Sequence, residues 1–145
     1  MRVMVILKAT HSSEAGVMPS QEEIGQMISF NEEMTKAGIL KAADGLMPSK
    51  HGKRVKLRRK SKKAFTDGPF AETKELVAGY WIWEVKSMDE AMEWARRIPN
   101  PDHSDGEIEI RPVFTDEDFG EALTPELREQ ADRLRAQVET GKAHS

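Results

Sequence analysis

The stretch Asp67-Gly68-Pro69-Phe70-Ala71-Glu72-Thr73-Lys74-Glu75, followed by Leu76-Val77-Ala78-Gly79-Tyr80-Trp81-Ile82-Trp83-Glu84-Val85, decides how this chain folds. Its first half has to turn, because Gly tolerates positive φ, Pro lacks an amide donor, and the residue before Pro is pushed towards extended geometry. In its second half, Val77, Tyr80, Ile82, Trp83 and Val85 form a β-branched and aromatic run. That pattern reads as a strand with one face fully buried and the other partly covered. Gly79 inside the run predicts something packed closely over it. Trp81 and Trp83 are two positions apart and share a face, so one side of the sheet carries two indoles.

Working outward, Arg2 to Lys8 is apolar enough for a buried first strand, and Thr10 to Pro19 reads as a loop. Ser20-Gln21-Glu22-Glu23 is a capping box, and the helix it starts carries Ile24, Met27, Ile28, Phe30, Met34 and Ala37 before Gly38 stops it. Ile39 to Ala43 is a short strand leading to the Gly45-Leu46-Met47-Pro48 turn. Lys53 to Arg59 reads as a strand with Val55 and Leu57 facing inward, turned by Ser61-Lys62-Lys63 into Ala64-Phe65-Thr66. Beyond the central strand, Ser87-Met88-Asp89-Glu90 repeats the capping box, and Ala91, Trp94, Ala95 and Ile98 give a second apolar stripe ended by Pro99. Asn100 to Gly106 is a polar loop and Glu107 to Phe114 a last strand. Thr124-Pro125 starts a third helix with Leu127, Ala131, Leu134 and Val138 on a narrow stripe, and Gly141 to Ser145 is expected to be disordered.

The order strand-helix-strand, hairpin, strand-helix-strand predicts an α+β fold: a ferredoxin-like βαβ-hairpin-βαβ sheet with two helices on one face, plus a C-terminal helix. The boundaries that follow are a domain over 1–121 and a helix and tail over 122–145. Two apolar surfaces remain to be covered, the open sheet face and the third helix. A homodimer built on Trp81, Trp83, Leu127, Leu134 and Val138 would cover them.

With 145 residues, 38% hydrophobic and 32% charged, the chain suits one domain with an ordinary core. No apolar run nears the ~20 residues that span a bilayer, and Met1 to Leu7 is too short for a signal-peptide core and lacks a cleavage pattern. The expectation is a cytoplasmic protein without a membrane partner. Zero cysteines exclude disulfides, thiolate catalysis and sulfur-ligated metals. Charge is unevenly spread: nine Lys and Arg lie between Lys50 and Lys63 with no acid, leaving 13 basic residues against 25 acidic ones elsewhere. Such a ribbon is a solvated arm, a subunit contact or an anion site more often than a nucleic-acid surface.

Asp67 to Glu75, together with Pro99-Asn100-Pro101, Glu107 to Phe114 and Glu117-Asp118-Phe119-Gly120, resembles the DGPF-motif branch of the YCII-related (YciI-like) proteins. The resemblance implies a ferredoxin-like dimer, of the dimeric α/β-barrel type, with a small cleft. Members are often encoded beside sigma factors of the extracytoplasmic-function type, and a few relatives are enzymes acting on small rings. Those enzymes are thought to use a His-Asp pair with the His on the first helix. Here the helix from Gln21 to Ala37 has no His, and Asn31 stands among its few uncharged polar residues.

The candidate catalytic residues are therefore Asp67, a general base beside the aromatic strand, and His11, on the loop before the first helix. The simpler role for Asp67 is to cap its own turn. Phe70, Glu72, Lys74 and Arg111 are the candidate ligand-binding residues; the charged ones could equally form surface pairs, worth ~0–1 kcal/mol when exposed. His11, His51, His103 and His144 have no metal-ligand spacing, so no metal is expected. The lack of a phosphate loop, a Gly-x-Gly-x-x-Gly string and a Gly-x-Ser-x-Gly elbow gives no support to nucleotide binding or serine hydrolysis, and no cofactor is expected.

Three function classes follow. One is binding or transformation of a small molecule in a cleft beside Asp67 to Glu75. Another is a non-catalytic homo-oligomeric partner linked to sigma-factor-dependent transcription. Nucleic-acid binding through 50–63 ranks last, since the ribbon has no interleaved aromatics for base stacking and the whole protein is acidic.

Overall fold

The computed structural model describes residues 1–60 and 62–143, apart from the side chains of Lys74, Lys142 and Ala143. In chain order the elements are β1 (Arg2–Lys8), α1 (His11–Glu14), α2 (Gln21–Lys36), β2 (Leu40–Gly45), β3 (Lys53–Lys56), β4 (Ala64–Asp67), β5 (Val77–Glu84), α3 (Met88–Ala95), β6 (Ile108–Pro112) and α4 (Pro125–Ala143). Four strands form one antiparallel sheet in the order β2-β5-β1-β6, and β3 and β4 form a separate two-stranded ribbon. The fold is α+β, with α2 and α3 packed on one face of the four-stranded sheet.

Register shows why that face is the buried one. Val3 lies opposite Trp83, Val5 opposite Trp81 and Leu7 opposite Gly79, while β6 sets Ile110 opposite Val5 and Ile108 opposite Leu7. Against them α2 lays Phe30 and Met34, and α3 lays Ala91 with Met88, Trp94 and Ala95 around it. Phe30 is the hub: its ring meets Trp81 edge-on at 6.2 Å and Trp83 at 6.4 Å, and lies tilted to Trp94 at 6.2 Å. Trp83, Met34, Val3 and Val5 are the largest fully buried side chains. Burial of such side chains contributes ~1.5–3 kcal/mol each.

The helix boundaries follow their local signals. Ser20 Oγ accepts from the Glu23 amide at 3.2 Å and the Glu23 carboxylate accepts from the Ser20 amide, forming the expected box. Gly38, at φ +76°, ends α2 with the Ile39 amide donating to Met34 O at 2.8 Å and the Gly38 amide to Thr35 O at 3.1 Å. Paired bonds of this kind satisfy the last carbonyls of a helix. At α3 only half of the expected box forms, with Ser87 Oγ accepting from the Glu90 amide at 3.2 Å.

Chain contacts divide the molecule into Met1–Pro112 and Val113–Ser145, with Phe114 to Glu121 counted in the second unit rather than the first. Inside that second unit, Arg135 grips Asp116 through bonds of 2.6 and 3.1 Å, and Arg128 lies 3.7 Å from Glu117. Thr124 Oγ1 accepts from the Leu127 amide at 3.3 Å and so caps α4.

Several expectations need correction. Trp81 and Trp83 point into the helix-covered core and are not spare surface for a dimer. Thr10 to Pro19 contains a short helix, because Thr10 and Ser13 cap each other's amides at 3.1 and 2.8 Å. The strand expected over Lys53 to Arg59 ends at Lys56, and Val55 and Leu57 do not face inward: Leu57 is 76% exposed. The ribbon is not part of the main sheet, and among the described residues no layer covers Val55 and Leu57. The last strand is shorter than expected, and α4 continues through Gly141 to Ala143; His144 and Ser145 lie outside the described residues.

Candidate functional site

A cavity of about 200 Å³ opens where α2 crosses the start of β5, lined in part by Leu7, Met27, Asn31, Ala43, Gly45 and Trp81. Its size comes from missing side chains. Gly45 lies directly opposite Gly79 in the β2/β5 ladder, and both stand on the helix side, in step with Ala43 and Trp81. Two glycines facing each other leave a floor of bare backbone. Gly79 is confined by the neighbouring strand, since a Cβ there would come 3.1 Å from Asp44 O. A Cβ on Gly45 would find its nearest neighbour, Ala78 O, only at 4.0 Å, so the space above Gly45 is open.

One polar side chain serves this apolar space. Trp81 Nε1–H donates to Asn31 Oδ1 at 3.0 Å. An indole N–H can only donate, so this bond fixes which end of the carboxamide is oxygen. The Asn31 Nδ2 group keeps its two donors, and no protein acceptor takes them among the described residues. Asp44 and Tyr80 also border the cavity, but alternation along β2 and β5 sends their side chains to the opposite sheet face. There Tyr80 Oη–H donates to Asp44 Oδ2 at 3.0 Å, and this bond, with the carboxylate's charge, holds the phenol above its ordinary pKa of 10.0. A second, more polar cleft of about 240 Å³ shares Leu7, Met27, Ala78 and Trp81 with the first and continues to Ser13, Glu23 and Asp102.

The Asp67–Glu75 loop has a different neighbourhood. Ser49 ties three segments together: its amide and hydroxyl donate to the Glu14 carboxylate at 3.0 and 2.6 Å, and its Oγ accepts from the Phe70 amide at 3.0 Å. The Gly68 amide donates to Gly52 O at 3.0 Å. A Cβ at Gly68 would lie 1.8 Å from Ser49 O, so no other residue fits without movement. Pro69 follows through a cis peptide, and Arg54 stacks over the Phe70 ring at 4.0 Å. The motif is thus the foot that seats the ribbon on the body.

Asp67 ends β4, is 77% exposed and pairs with Lys53 Nζ at 3.0 Å. His11 is the exposed first residue of α1, on the same short helix as Glu14. Glu72 is exposed and left-handed at φ 64° before the Thr73–Glu75 turn. Arg111 is exposed on β6, with its guanidinium 3.9 Å from Glu109. Phe70 is held at Ser49, and the Lys74 side chain lies outside the described residues. The structure brings Phe70 and the helix carrying His11 to one serine, and none of Asp67, His11, Phe70, Glu72 or Arg111 lines the 200 Å³ cavity. Asn31 is not among the site residues that the sequence points to. Its signal is a lone carboxamide on the stripe of Met27, Phe30 and Met34 that α2 turns to the sheet.

Residues 1–117 match the model of the YCII-related domain. An uncharacterized protein of Rhizobium meliloti (strain 1021) is 47% identical over 47 residues, which cover 32% of this chain and 38% of the relative's length. Among solved structures, the 5-chloro-2-hydroxyhydroquinone dehydrochlorinase of Burkholderia phenoliruptrix AC1100, in complex with 2,5-dihydroxybenzoquinone, aligns with a TM-score of 0.42 and 11% identity over 81% of this chain and 98% of that one.

Proposed function

Because the chain belongs to the YCII-related domain family, we propose that it binds a small, single-ring molecule in the cavity between α2 and β5. The observation that carries this reading is an apolar space of about 200 Å³ with one fixed hydrogen-bond donor group, the Asn31 carboxamide held by Trp81. A cavity of about 150 Å³ takes up benzene, so one ring fits, and an acceptor atom on it would face Asn31 Nδ2. Few polar groups in an apolar wall are the usual means of fixing a ligand's orientation. No acid or base projects from the described lining, so binding is the part of the function assigned to it. Any proton transfer falls to groups in the adjoining polar cleft or to Asp67 and His11.

Two further elements belong to the same reading. The string Asp67 to Phe70 supports membership of the DGPF-motif branch, and the strand order β2-β5-β1-β6 supports a ferredoxin-like sheet of the dimeric α/β-barrel type. A homodimer would use the sheet face opposite α2 and α3, where Met4, Ile6 and Ile82 are half-buried.

The test is a titration with phenols and quinones of one ring, followed by indole fluorescence. Wild type should saturate at millimolar concentration or below, and Gly45→Leu, which fills the floor, should abolish the response while keeping the melting temperature close. Equal binding by both proteins, or none by wild type, would remove the cavity from consideration.

A further inference from the structure

We propose that the β3–β4 ribbon is a docking arm, and that its target is the acidic, aromatic segment Phe114 to Glu121 on a second copy of this chain. The arm is cationic beyond anything its surroundings neutralise. Of the nine Lys and Arg between Lys50 and Lys63, only Lys53 has an ion-pair partner among the described residues. Register puts Val55 opposite Phe65, on the same face as Lys53 and Asp67. These two side chains and Leu57 are exposed, Phe65 by 70%. The arm is therefore an apolar strip rimmed by cations. Its foot is fixed by Ser49, Gly68 and Phe70, so docking would need little new ordering, which lowers the entropy cost of association.

The segment has the matching composition. Phe114 and Phe119 stack at 5.2 Å with their planes 26° apart, and Phe114 is 71% exposed. Asp116, Glu117, Asp118 and Glu121 lie between or next to them in the chain, with no cation in the segment itself. Asp116 is held by Arg135, Glu117 lies near Arg128 and Asp118 caps Thr115, while Glu121 has no partner among the described residues. An apolar centre with a charged rim is the ordinary anatomy of a specific interface.

The rest of the chain decides between polyanions. Outside the arm there are 13 basic residues against 25 acidic ones, so the body repels nucleic acid and anionic lipid but attracts the arm of another copy. A two-fold dimer would satisfy both arms at once, each on the other's segment.

Charge reversal tests this directly. One variant carries Arg58→Glu, Arg59→Glu and Lys60→Glu, and the other carries Glu117→Lys and Glu121→Lys. Sedimentation equilibrium at about 0.15 M salt should show the dimer dissociation constant rising by about tenfold or more in each variant alone. An equimolar mixture should recover wild-type affinity, because the two reversed surfaces complement each other and the two unreversed ones remain paired. Unchanged circular dichroism confirms that both variants fold. A monomeric wild type, a dimer whose affinity ignores both reversals, or a mixture that fails to recover would overturn the proposal. So would tight binding of wild type to duplex DNA or phosphatidylserine vesicles that is lost in the arm variant. The outcome is independent of the cavity reading, which Gly45→Leu tests in a separate assay.

Discussion

Asn31 and Trp81 join α2 to the sheet through a single hydrogen bond, the indole Nε1–H donating to the carboxamide oxygen at 3.0 Å. Asn31→Leu should leave that donor unpaired in a largely buried setting and cost ~1–3 kcal/mol in urea unfolding. Asn31→Asp keeps an acceptor for the indole but loses both Nδ2 donors. It should unfold closer to wild type while losing affinity for ring compounds that bear an acceptor. If Asn31→Asp binds them as well as wild type, the carboxamide is scaffold and not contact.

The foot of the ribbon depends on the absence of a side chain at Gly68. Gly68→Ala would drive a Cβ to 1.8 Å from Ser49 O, and the backbone movement it forces should cost ~1–3 kcal/mol or more. Gly106→Ala is the control, since nothing lies within 4 Å of its Cβ position and its stability should stay within about 0.5 kcal/mol of wild type. Thermal melts of the pair are sufficient.

Met34 is fully buried under Trp83 and Phe30. Met34→Ala removes the contacts of three heavy atoms, Cγ, Sδ and Cε, and leaves a void, so chemical denaturation should register a loss of ~2–5 kcal/mol. A loss below about 1 kcal/mol would mean that the core collapses around the site with little resistance.

Acid should loosen the segment before α4. Arg135 lowers the Asp116 carboxyl below its usual 3.8, and the Thr115 amide and hydroxyl lower that of Asp118. A carboxylate with a depressed folded value contributes stability that is present above about pH 3.8 and is lost as pH falls through the lowered value. NMR signals of Thr115 and Arg135 should therefore shift below about pH 4, and Asp116→Asn should remove the Arg135 response. Tyr80 works in the opposite sense: its bond to Asp44 persists below pH 10.0 and is lost as the phenol ionises above its raised value. Absorbance titration in alkali should place that step later than in Asp44→Asn.

Asp67 offers a test of the loop as a site. Its pair with Lys53 is exposed at both ends, so Asp67→Asn should change stability by less than about 1 kcal/mol. If the same variant loses binding or turnover of a ligand that wild type accepts, the charge itself is used, and the loop rejoins the functional site. Ligand titration beside a melt separates the two roles.

The central strand was legible because its alternation of large apolar residues is a local pattern, and α2 because its cap, stripe and terminal glycine all lie in one short local stretch, Ser20 to Gly38. The ribbon misled for a physical reason: Val55 and Leu57 alternate as buried residues do, but alternation cannot show that no layer lies above them. The cavity was not legible at all. It needs Gly45 and Gly79 to meet across a ladder, and nothing in either neighbourhood announces the pairing. Asn31 could be seen in sequence, but its purpose depends on an indole fifty positions away.

The bonds at Ser49 also bear on how the chain reaches this structure. β2 and β5 are adjacent strands, yet residues 46–76 intervene before Gly45 can pair with Gly79. Closing a free loop of that length costs roughly 2 kcal/mol more in chain entropy than a tight four-residue turn. Once Phe70 reaches Ser49 and Gly68 reaches Gly52, the ribbon is a self-closed excursion, and only residues 46–48 and 71–76 still separate the two strands. Early contact there would lower the effective contact order of the central pairing, so Ser49→Ala should slow folding more than it speeds unfolding.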